Sequence, residues 1–587
     1  MLDPVQIVGF RQKRCSLRFG VGACPATGTP KCFQTWPTCK AQTAFVNSGT
    51  IEWMFISNRP GQFAFGDFAV TNQIRTNCIP VDGLSVSTSK AQVNAAGVLE
   101  GKSPFGVQAT CRVSMRDFPW DDHVGDFYTA DRGALPDRTF WSVWAARNRF
   151  FGGMELVVYD GYAGQELSEF RQRLYAVDKI DGPDGSGGVT ISGVSPLVQA
   201  EGKRSLFPDA MDVRLVSAID DTQSTIRVLT NDETNLSKAF GISTRKGLII
   251  GSEIMLYSGH VTVEPGIYDV AVDRGQLRSV AASAEIDARV QRIGYYEDVP
   301  TWQCARDLLE NHTPVGTALI DGPMWIDEGE TYLSTLRSTA VITTPTPVFD
   351  LMGETCQQGM FFVWWDEYAA KVKMQAIRPP RGAVTLLDGV SNIVADSVRI
   401  KREPESTLTR VFVYYGPKDY TKNDKANYLV VDATVEGENE DPRAGGEART
   451  LEITARWVGT AAHAQQVISR ILSRYRDVPR FLTIQVTSKD RAITIGDVCD
   501  VTQRQIVDAE GRVLSSRWQV ISWEEVKMGE IYALDLQTYE LIGKFASWVA
   551  NDAPDYAAAS DLQKADGAWW ADAAGLLPDG SNGYQWN

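Results

Sequence analysis

Residues 15–39, CSLRFGVGACPATGTPKCFQTWPTC, hold four of the chain's nine cysteines within twenty-five positions: Cys15, Cys24, Cys32 and Cys39. The gaps between them are eight, seven and six residues. Thiolates are ligands for soft metals, so four in one short segment offer a full donor set for zinc or for an iron-sulfur cluster. The absence of a C-x-x-C pair disfavours a zinc ribbon, while loops rich in Gly, Pro and Thr are long enough to wrap a cluster larger than one ion. Phe19, Phe33 and Trp36 are candidates for an apolar shell around it. Two disulfides, or thiols with no ligand, are the competing readings. Residues 1–15 contain no apolar stretch of signal-peptide length, and no window approaches the run of ~20 apolar residues that a membrane helix needs. Folding in a cytoplasm is therefore expected, and its reducing thiol pools favour metal over cystine.

Other chemistry-bearing residues are sparse. His123, His260, His312 and His463 are the only histidines, and none sits in an HExxH pair or beside a Ser or Cys in a recognisable catalytic order. An enzyme is not expected, and most of these histidines read as surface or capping residues. GVLEGKS (97–103) falls short of a phosphate-binding loop because Ala96 stands where glycine is required. The carboxylates of WDDH (120–123) and the pair Asp366 and Glu367 would suit acid-base or calcium chemistry, but solvated turns carry such pairs routinely. Cys78, Cys111, Cys304, Cys356 and Cys499 lie singly within apolar patterns and read as small buried hydrophobes.

The elements that must position these residues are mainly strands. TAFVNSGTIEWMFIS leads into one, VQATCRVSMRDF (107–118) alternates like a half-buried strand, and WSVWAARNRFFGGMELVVYDGYAG (141–164) gives a short amphipathic element, a turn and a strand. DKIDGPDGSGGVTISGV (178–194) has the pattern of a hairpin. RLVSAI, STIRVLT, KGLIIGSEIMLYSGHVTV and GIYDVAVDRG are short strands suited to a small sandwich or barrel. Helical periodicity appears at 299–312, at 347–358 and at 461–480, where Ala464, Val467, Ile468, Ile471, Leu472 and Tyr475 form one stripe and the arginines lie mostly off it. Strands after this helix predict a barrel with one docked helix, and VEGENEDPRAGGEAR (435–449) predicts a mobile loop.

At 587 residues the chain exceeds what one core supports, and ~4 domains of ordinary size are expected. The predicted fold class is mainly β and multi-domain: several antiparallel β-barrel or sandwich domains, one inserted α+β domain, and a four-cysteine N-terminal metal segment. The expected divisions are 1–50, the four-cysteine segment and a first strand; 51–200, an antiparallel β domain; 201–298, a small β domain; 299–400, an α+β domain; 401–545, a barrel-like domain with a docked helix; and 546–587, an extended tail. A net charge of -15 argues against a surface that grips nucleic acid through its phosphates.

Taken in order, these stretches resemble the baseplate hub, or tail tip, proteins of bacteriophages with long flexible tails, including the lambda-like branch and the hubs of gene transfer particles. The carrying residues are the segment from Cys15 through KCFQTWPTC, MRDFPWDDHVGDFYTADRGALPDRTFWSVWAARNRFFGG (115–153), GSEIMLYSGHVTVEPGIYDVAVDRGQLRSVAASAEIDARV (251–290) and RWVGTAAHAQQVISRILSRYRDVPRFLTIQVTSKDRAITIGDVCDVT (456–502). The resemblance spans residues 1 to about 545. It implies a virion protein, made in the host cytoplasm, that forms a homotrimeric ring at the tail tip and closes the distal channel. The implied partners are the distal tail protein, the tape measure protein and the central fibre or receptor-binding proteins. DNA would pass through the channel without specific binding, and contact with the host envelope would be indirect. In the lambda-like branch a four-cysteine segment carries a [4Fe-4S] cluster whose first ligand pair has the same eight-residue gap, which implies Cys15, Cys24, Cys32 and Cys39 as ligands here, with zinc as the alternative. This segment departs from that pattern in lying at the N-terminus with its second and third cysteines close together. The other functional readings are a phage receptor-binding adhesin, favoured by the Trp-rich AWWADAAGLL, and a tail-associated cell-wall hydrolase.

Overall fold

The structure, a computed structural model, describes residues 4–13, 15–28, 31–46, 51–58, 78–93, 104–120, 138–201, 205–237, 246–378, 384–435 and 437–539, with short pieces beyond. It is mainly β, with several sheets and a six-stranded barrel.

The first sheet is built on the N-terminal strand. β1 (Pro4–Lys13), β2 (Ile51–Ser57), β3 (Cys78–Pro80), β4 (Ser85–Thr88), β5 (Thr110–Arg116), β6 (Glu155–Tyr162), β7 (Arg171–Asp181) and β8 (Gly188–Val194) lie in the order β3-β2-β1-β6-β7-β8-β5-β4. Successive side chains of a strand point to opposite faces, and β1 buries both of its faces. Val5 and Ile7 join Phe55 and Tyr159 on one face; Val8 and Phe10 join Ile56 on the other. Helix α1 (Phe140–Arg147) covers the second face with Trp141 and Trp144.

The stretch read as a small sandwich or barrel closes as a barrel. Its strands are β9 (Val213–Leu215), β10 (Thr225–Leu229), β11 (Lys246–Ile250), β12 (Glu253–Glu264), β13 (Ile267–Asp273) and β14 (Arg289–Arg292), in the order β9-β10-β13-β12-β11-β14. Glu253 holds the loop that follows β13. It accepts hydrogen bonds from Arg274 Nε and Nη2, both at 2.7 Å, and from the backbone N–H groups of Gly275 at 2.9 Å and Ala282 at 3.0 Å.

The α+β portion comprises β15 (Gly294–Pro300), α2 (Thr301–His312), α3 (Gly322–Tyr332), β16 (Arg337–Ile342), α4 (Val348–Gly359) and the hairpin β17 (Phe361–Asp366) and β18 (Lys371–Ala376). Helix α3 escapes the periodicity reading because GPMWIDEGETY carries Gly322, Pro323 and Gly329. It is held by its surroundings. Trp325 is buried and donates its Nε1–H to Val372 O at 3.0 Å, and the Trp302 ring lies so close to Gly329 that a Cβ there would stand 2.4 Å from it.

Beyond residue 384, β19 (Thr385–Asp388), β20 (Arg399–Arg402), β24 (Arg480–Thr487), β25 (Val498–Val507), β26 (Val513–Lys527) and β27 (Ile531–Thr538) form one sheet in the order β19-β25-β26-β27-β24-β20, joined at β26 by the short strand Ala91–Gln92. Between β20 and β24 lie β21 (Arg410–Tyr415), β22 (Leu429–Thr434) and β23 (Thr450–Ala455), which make a separate three-stranded sheet in the order β22-β21-β23.

The expected barrel with a docked helix is corrected here. The post-helix strands lie in an open path, and α5 (Ala461–Tyr475) sets its apolar stripe on the three-stranded sheet, where Val411, Val413, Ile453 and Ala455 complete the core. One flank of the helix beside this stripe is also covered. Arg470 donates from Nη2 to Tyr332 O at 3.1 Å, Arg474 donates to Gln537 Oε1 at 2.8 Å, and both arginines are buried. The 435–449 stretch carries two short 3-10 turns, and Glu440 is clamped by Arg410 Nε at 2.7 Å.

Burial raises the Glu253 carboxyl pKa, but the bonds from Arg274, Ala282 and Gly275 outweigh that and hold it below the ordinary range. A depressed carboxyl contributes stability that is present above its unfolded pKa of about 4.3 and is lost as pH falls through the folded value. The protection of the barrel amides, measured against intrinsic exchange at the same pH, should therefore fall on acidification below about pH 4.3. Glu253→Gln should weaken that pH dependence and destabilise the barrel at neutral pH by about 3 kcal/mol, since it removes one partner of a buried pair. Barrel exchange indistinguishable from wild type at pH 7 would contradict this role.

Candidate metal centre

The four-cysteine segment is a long connection between β1 and β2. Its fold is made by turns and side-chain amides rather than by an apolar core. Among its described residues only Cys15, Ala26, Cys32, Gln34 and Thr35 are buried, and none of them belongs to a hydrophobic core cluster of the described chain.

Gln34 is the organiser of this loop. It adopts a left-handed conformation, φ 59°, and its carbonyl accepts the Cys15 N–H at 2.9 Å. Its side-chain Nε2 donates to the carbonyls of Cys15 and Leu17, each at 3.3 Å. A short 3-10 turn, Trp36–Thr38, brings Cys39 into place as its cap, with the Cys39 N–H on Trp36 O at 3.2 Å. Thr38 Oγ1 accepts the Phe33 N–H at 3.1 Å. Gly20 and Gly22 also have positive φ, at 69° and 61°, in the turn before Cys24, whose N–H reaches Val21 O at 3.2 Å.

The loop is anchored to helix α1 at its last residue. Thr35 Oγ1 donates to Arg147 O at 2.7 Å, and the Arg147 guanidinium lies 3.7 Å from the centre of the Phe33 ring. This anchor was not legible in the sequence, because Thr35 and Arg147 are far apart in the chain and neither is unusual by type. Of the three residues expected to shield the cysteines, Phe33 packs under Arg147 and Phe19 is half-buried, whereas Trp36 is 45% exposed and meets Phe45 edge-on at 5.2 Å.

None of the four cysteines is in a disulfide; Cys15 and Cys32 are buried and Cys24 and Cys39 half-buried. Burial is the main cause that raises the Cys32 thiol pKa; a backbone hydrogen bond from Gln34 pulls it back, and Cys39, Cys24 and Cys15 push it up further. The structure thus brings the other three cysteines within electrostatic reach of Cys32. Among the described residues, no group of three or more His, Cys, Asp or Glu side chains could hold a metal ion as it stands.

The remaining candidates have structural roles. His463 is buried, with Nε2 2.8 Å from Gln358 O and Nδ1 3.2 Å from Arg337 O. His312 lies against Phe207 with ring centres 4.4 Å apart, and His260 meets Glu233 at 3.1 Å. The expectation of surface or capping histidines therefore fails for His463 and His312. Asp366 and Glu367 are not a solvated pair either. Asp366 binds Lys373 at 2.7 Å and accepts the N–H groups of Tyr368 and Ala369 at 3.0 Å, while Glu367 accepts the Tyr175 hydroxyl. Burial pushes the Cys111 and Cys499 thiols up to about 12, and Cys304 and Cys356 are raised for the same reason. GVLEGKS, residues 121–123 of WDDH with His123, and the Cys78 side chain lie outside the described residues.

No family model matches the chain, and no curated protein does. Among solved structures it is similar to the 43 kDa tail protein of prophage MuSo2 from Shewanella oneidensis, at 10% identity and a TM-score of 0.35 over 77% of this chain and 94% of that one. The tail protein from Neisseria meningitidis MC58 is similar at 10% identity and a TM-score of 0.33, over 78% of this chain and 96% of that one. A chain of the native gene transfer agent virion matches at 16% identity and a TM-score of 0.29, over 55% of this chain and 82% of that one.

Thiolate, not thiol, is the nucleophile toward iodoacetamide, so burial and a raised pKa both slow alkylation. In metal-free protein at pH 7.5, peptide mass spectrometry should find Cys24 and Cys39 alkylated well ahead of Cys32. Equal rates at the three positions would show that the loop does not hold this arrangement.

Proposed function

We propose that this chain is a structural protein of a bacteriophage tail, its baseplate hub or tail tip, three copies of which form a ring closing the distal end of the channel. The observation that supports the reading best is the order of parts. The stretches that resemble hub proteins fall in separate structural units: the cysteine loop, α1 with the turn after it, the barrel strands from 251 to 290, and the helix-bearing unit from 456 to 502. These units are joined by packed polar contacts. Arg278 donates to Pro417 O at 2.6 Å between barrel and closing unit, and Leu174 N–H bonds Glu367 O at 3.0 Å between first sheet and hairpin. Such joints suit a part that transmits load within an assembly. In this role the chain joins the distal tail ring to the central fibre and receptor-binding parts, and its net charge of -15 repels DNA rather than retaining it.

Cys15, Cys24, Cys32 and Cys39 would hold a [4Fe-4S] cluster. When bound, it would supply iron-thiolate bonds that crosslink a loop with no core of its own, and metal binding would be folding energy. The chain's part is to gather the sulfurs. The Gln34 amide fixes the first turn, its backbone N–H serves the Cys32 sulfur, and Thr35 ties the loop to α1.

Anaerobically purified protein should be brown, with about four irons per chain and visible thiolate-to-iron absorption. Cys24→Ser combined with Cys39→Ser should abolish the colour and lower the melting temperature. Colourless protein that contains zinc and no iron would overturn the cluster. Immunogold labelling of assembled particles should mark the distal tip of the tail. Label absent from the tail axis, with the isolated chain binding host cells, would replace the hub by the adhesin.

A further inference from the structure

The turn between β17 and β18 carries a carboxyl with no cation of its own. Its neighbour Asp366 is paired with Lys373 Nζ at 2.7 Å. Across the joint with the first sheet, Asp160 on β6 takes both Nε and Nη2 of Arg173, at 2.9 and 2.6 Å, and Nη1 of that guanidinium donates to Thr88 Oγ1 at 3.1 Å. On β26, Glu525 lies 3.7 Å from Arg171 Nη1 and accepts the Tyr368 hydroxyl at 3.1 Å and the Gly529 N–H at 2.7 Å. Glu367 forms no ion pair among the described residues. The side-chain partner of its carboxyl is the Tyr175 hydroxyl on β7.

The carboxyl end of Glu367 is its buried end, because Tyr175 is 0% exposed. Groups from every element of the joint face it: Arg173 and Tyr175 from β7, Asp160 from β6, Cys111 from β5, and Asp366 and Tyr368 from its own turn. Glu525 and Arg171 stand behind Tyr368. Asp366 with Lys373 is balanced, so three carboxyls, those of Asp160, Glu367 and Glu525, share the two guanidiniums of Arg171 and Arg173. An ionised carboxylate removed from water without a cation is strongly disfavoured, whereas a neutral carboxylic acid is not and still accepts the Tyr175 hydroxyl. Removal from water is the main cause that raises the Glu367 pKa; Arg173 and the Tyr175 hydroxyl oppose the rise, and Asp366 and Asp160 add to it.

We infer that Glu367 is a proton-held latch: while its carboxyl is protonated the hairpin tip stays seated against the first sheet, and loss of that proton to water frees the tip. The carboxylate left behind would stand beside Asp160 and Asp366 with no unclaimed cation. Taking Arg173 from Asp160 only exchanges one unpaired carboxylate for another. The same tip holds the first sheet through Leu174, whose N–H bonds Glu367 O at 3.0 Å and whose carbonyl accepts Trp365 Nε1–H at 3.2 Å, so these contacts leave with it. A raised folded value contributes stability that is fully present below the ordinary carboxyl value of about 4.3 and is lost as pH rises through the folded value. The joint therefore weakens with rising pH, in the opposite sense to the barrel, where the Glu253 value is lowered.

The test is hydrogen exchange of the full chain, with peptides covering 172–176 and 366–370 read against intrinsic exchange at each pH. Wild-type protection there should fall by about tenfold for each pH unit above about 4.3 until the folded value is passed, the slope of one linked proton. Glu367→Gln keeps an acceptor for Tyr175 and cannot ionise, so its protection should stay constant over the same interval. The wild-type infrared spectrum should carry a protonated-carboxyl band that fades over that interval and is missing from the variant. Wild-type protection that is flat as pH rises overturns the latch, and this titration alone decides if the variant does not fold. An equal fall in Glu367→Gln, or an infrared difference between the two proteins without the band, also overturns it and assigns the proton elsewhere.

Discussion

One hairpin turn ties the major parts together. The tip of β17–β18 lies between the first sheet and the closing sheet and bonds to both. Trp365 donates its Nε1–H to Leu174 O at 3.2 Å, Glu367 accepts the Tyr175 hydroxyl, and the Tyr368 hydroxyl donates to Glu525 Oε2 at 3.1 Å. Arg171 lies over the Tyr368 ring at 4.2 Å and donates to the Tyr532 hydroxyl at 3.0 Å. Behind these contacts Arg173 is buried against Asp160, at 2.6 Å. Burial raises the Glu367 pKa and nearby Arg173 opposes that rise. Each group in such a cluster is costly when left alone, because the desolvation already incurred is then uncompensated. The joint therefore holds as a set or not at all, and it fixes the first sheet, the α+β portion and the closing sheet with respect to one another.

The cysteine loop is held by a different kind of constraint. Hydrophobic burial, which carries the sheets and the barrel, is nearly absent from it. In its place are the Gln34 amide, three hydroxyl and carbonyl contacts around Thr35 and Thr38, and one cation over Phe33. These orient the thiols without packing them. Burial is the main cause that raises the Cys32 thiol pKa, and the three neighbouring cysteines add to it. The loop's economy of packing and its concentration of sulfur are two aspects of one design.

Elements governed by local periodicity were legible in the sequence. Helix α5 lies where its stripe of Ala464, Val467, Ile468, Ile471, Leu472 and Tyr475 places it, and the strands of the barrel follow their alternation. Helix α3 was not legible, because Trp302 and Val372 supply from a distance what Gly322 and Gly329 lack locally. The docking partner of α5 was misread for a similar reason. Periodicity identifies a stripe but not the sheet that covers it, and the buried Arg470 and Arg474 show that one flank beside the stripe is also an interface. Of the candidate metal centre, the four cysteines stand out in the sequence by type and spacing. Their support by Gln34, Thr35 and Arg147 was not, since these residues matter only through contacts closed by the fold.

The amino-acid sequence by itself determined the mainly β character, the strands of the barrel and the existence of helices within 299–312, 347–358 and 461–480, because each follows from the type and spacing of near neighbours. Tertiary structure alone decided that the turn holding Asp366 and Glu367 is a buried joint and not a solvated loop, and that α5 covers the three-stranded sheet. Those outcomes depend on which distant surfaces exclude water from one another, and a one-dimensional pattern carries no record of that choice.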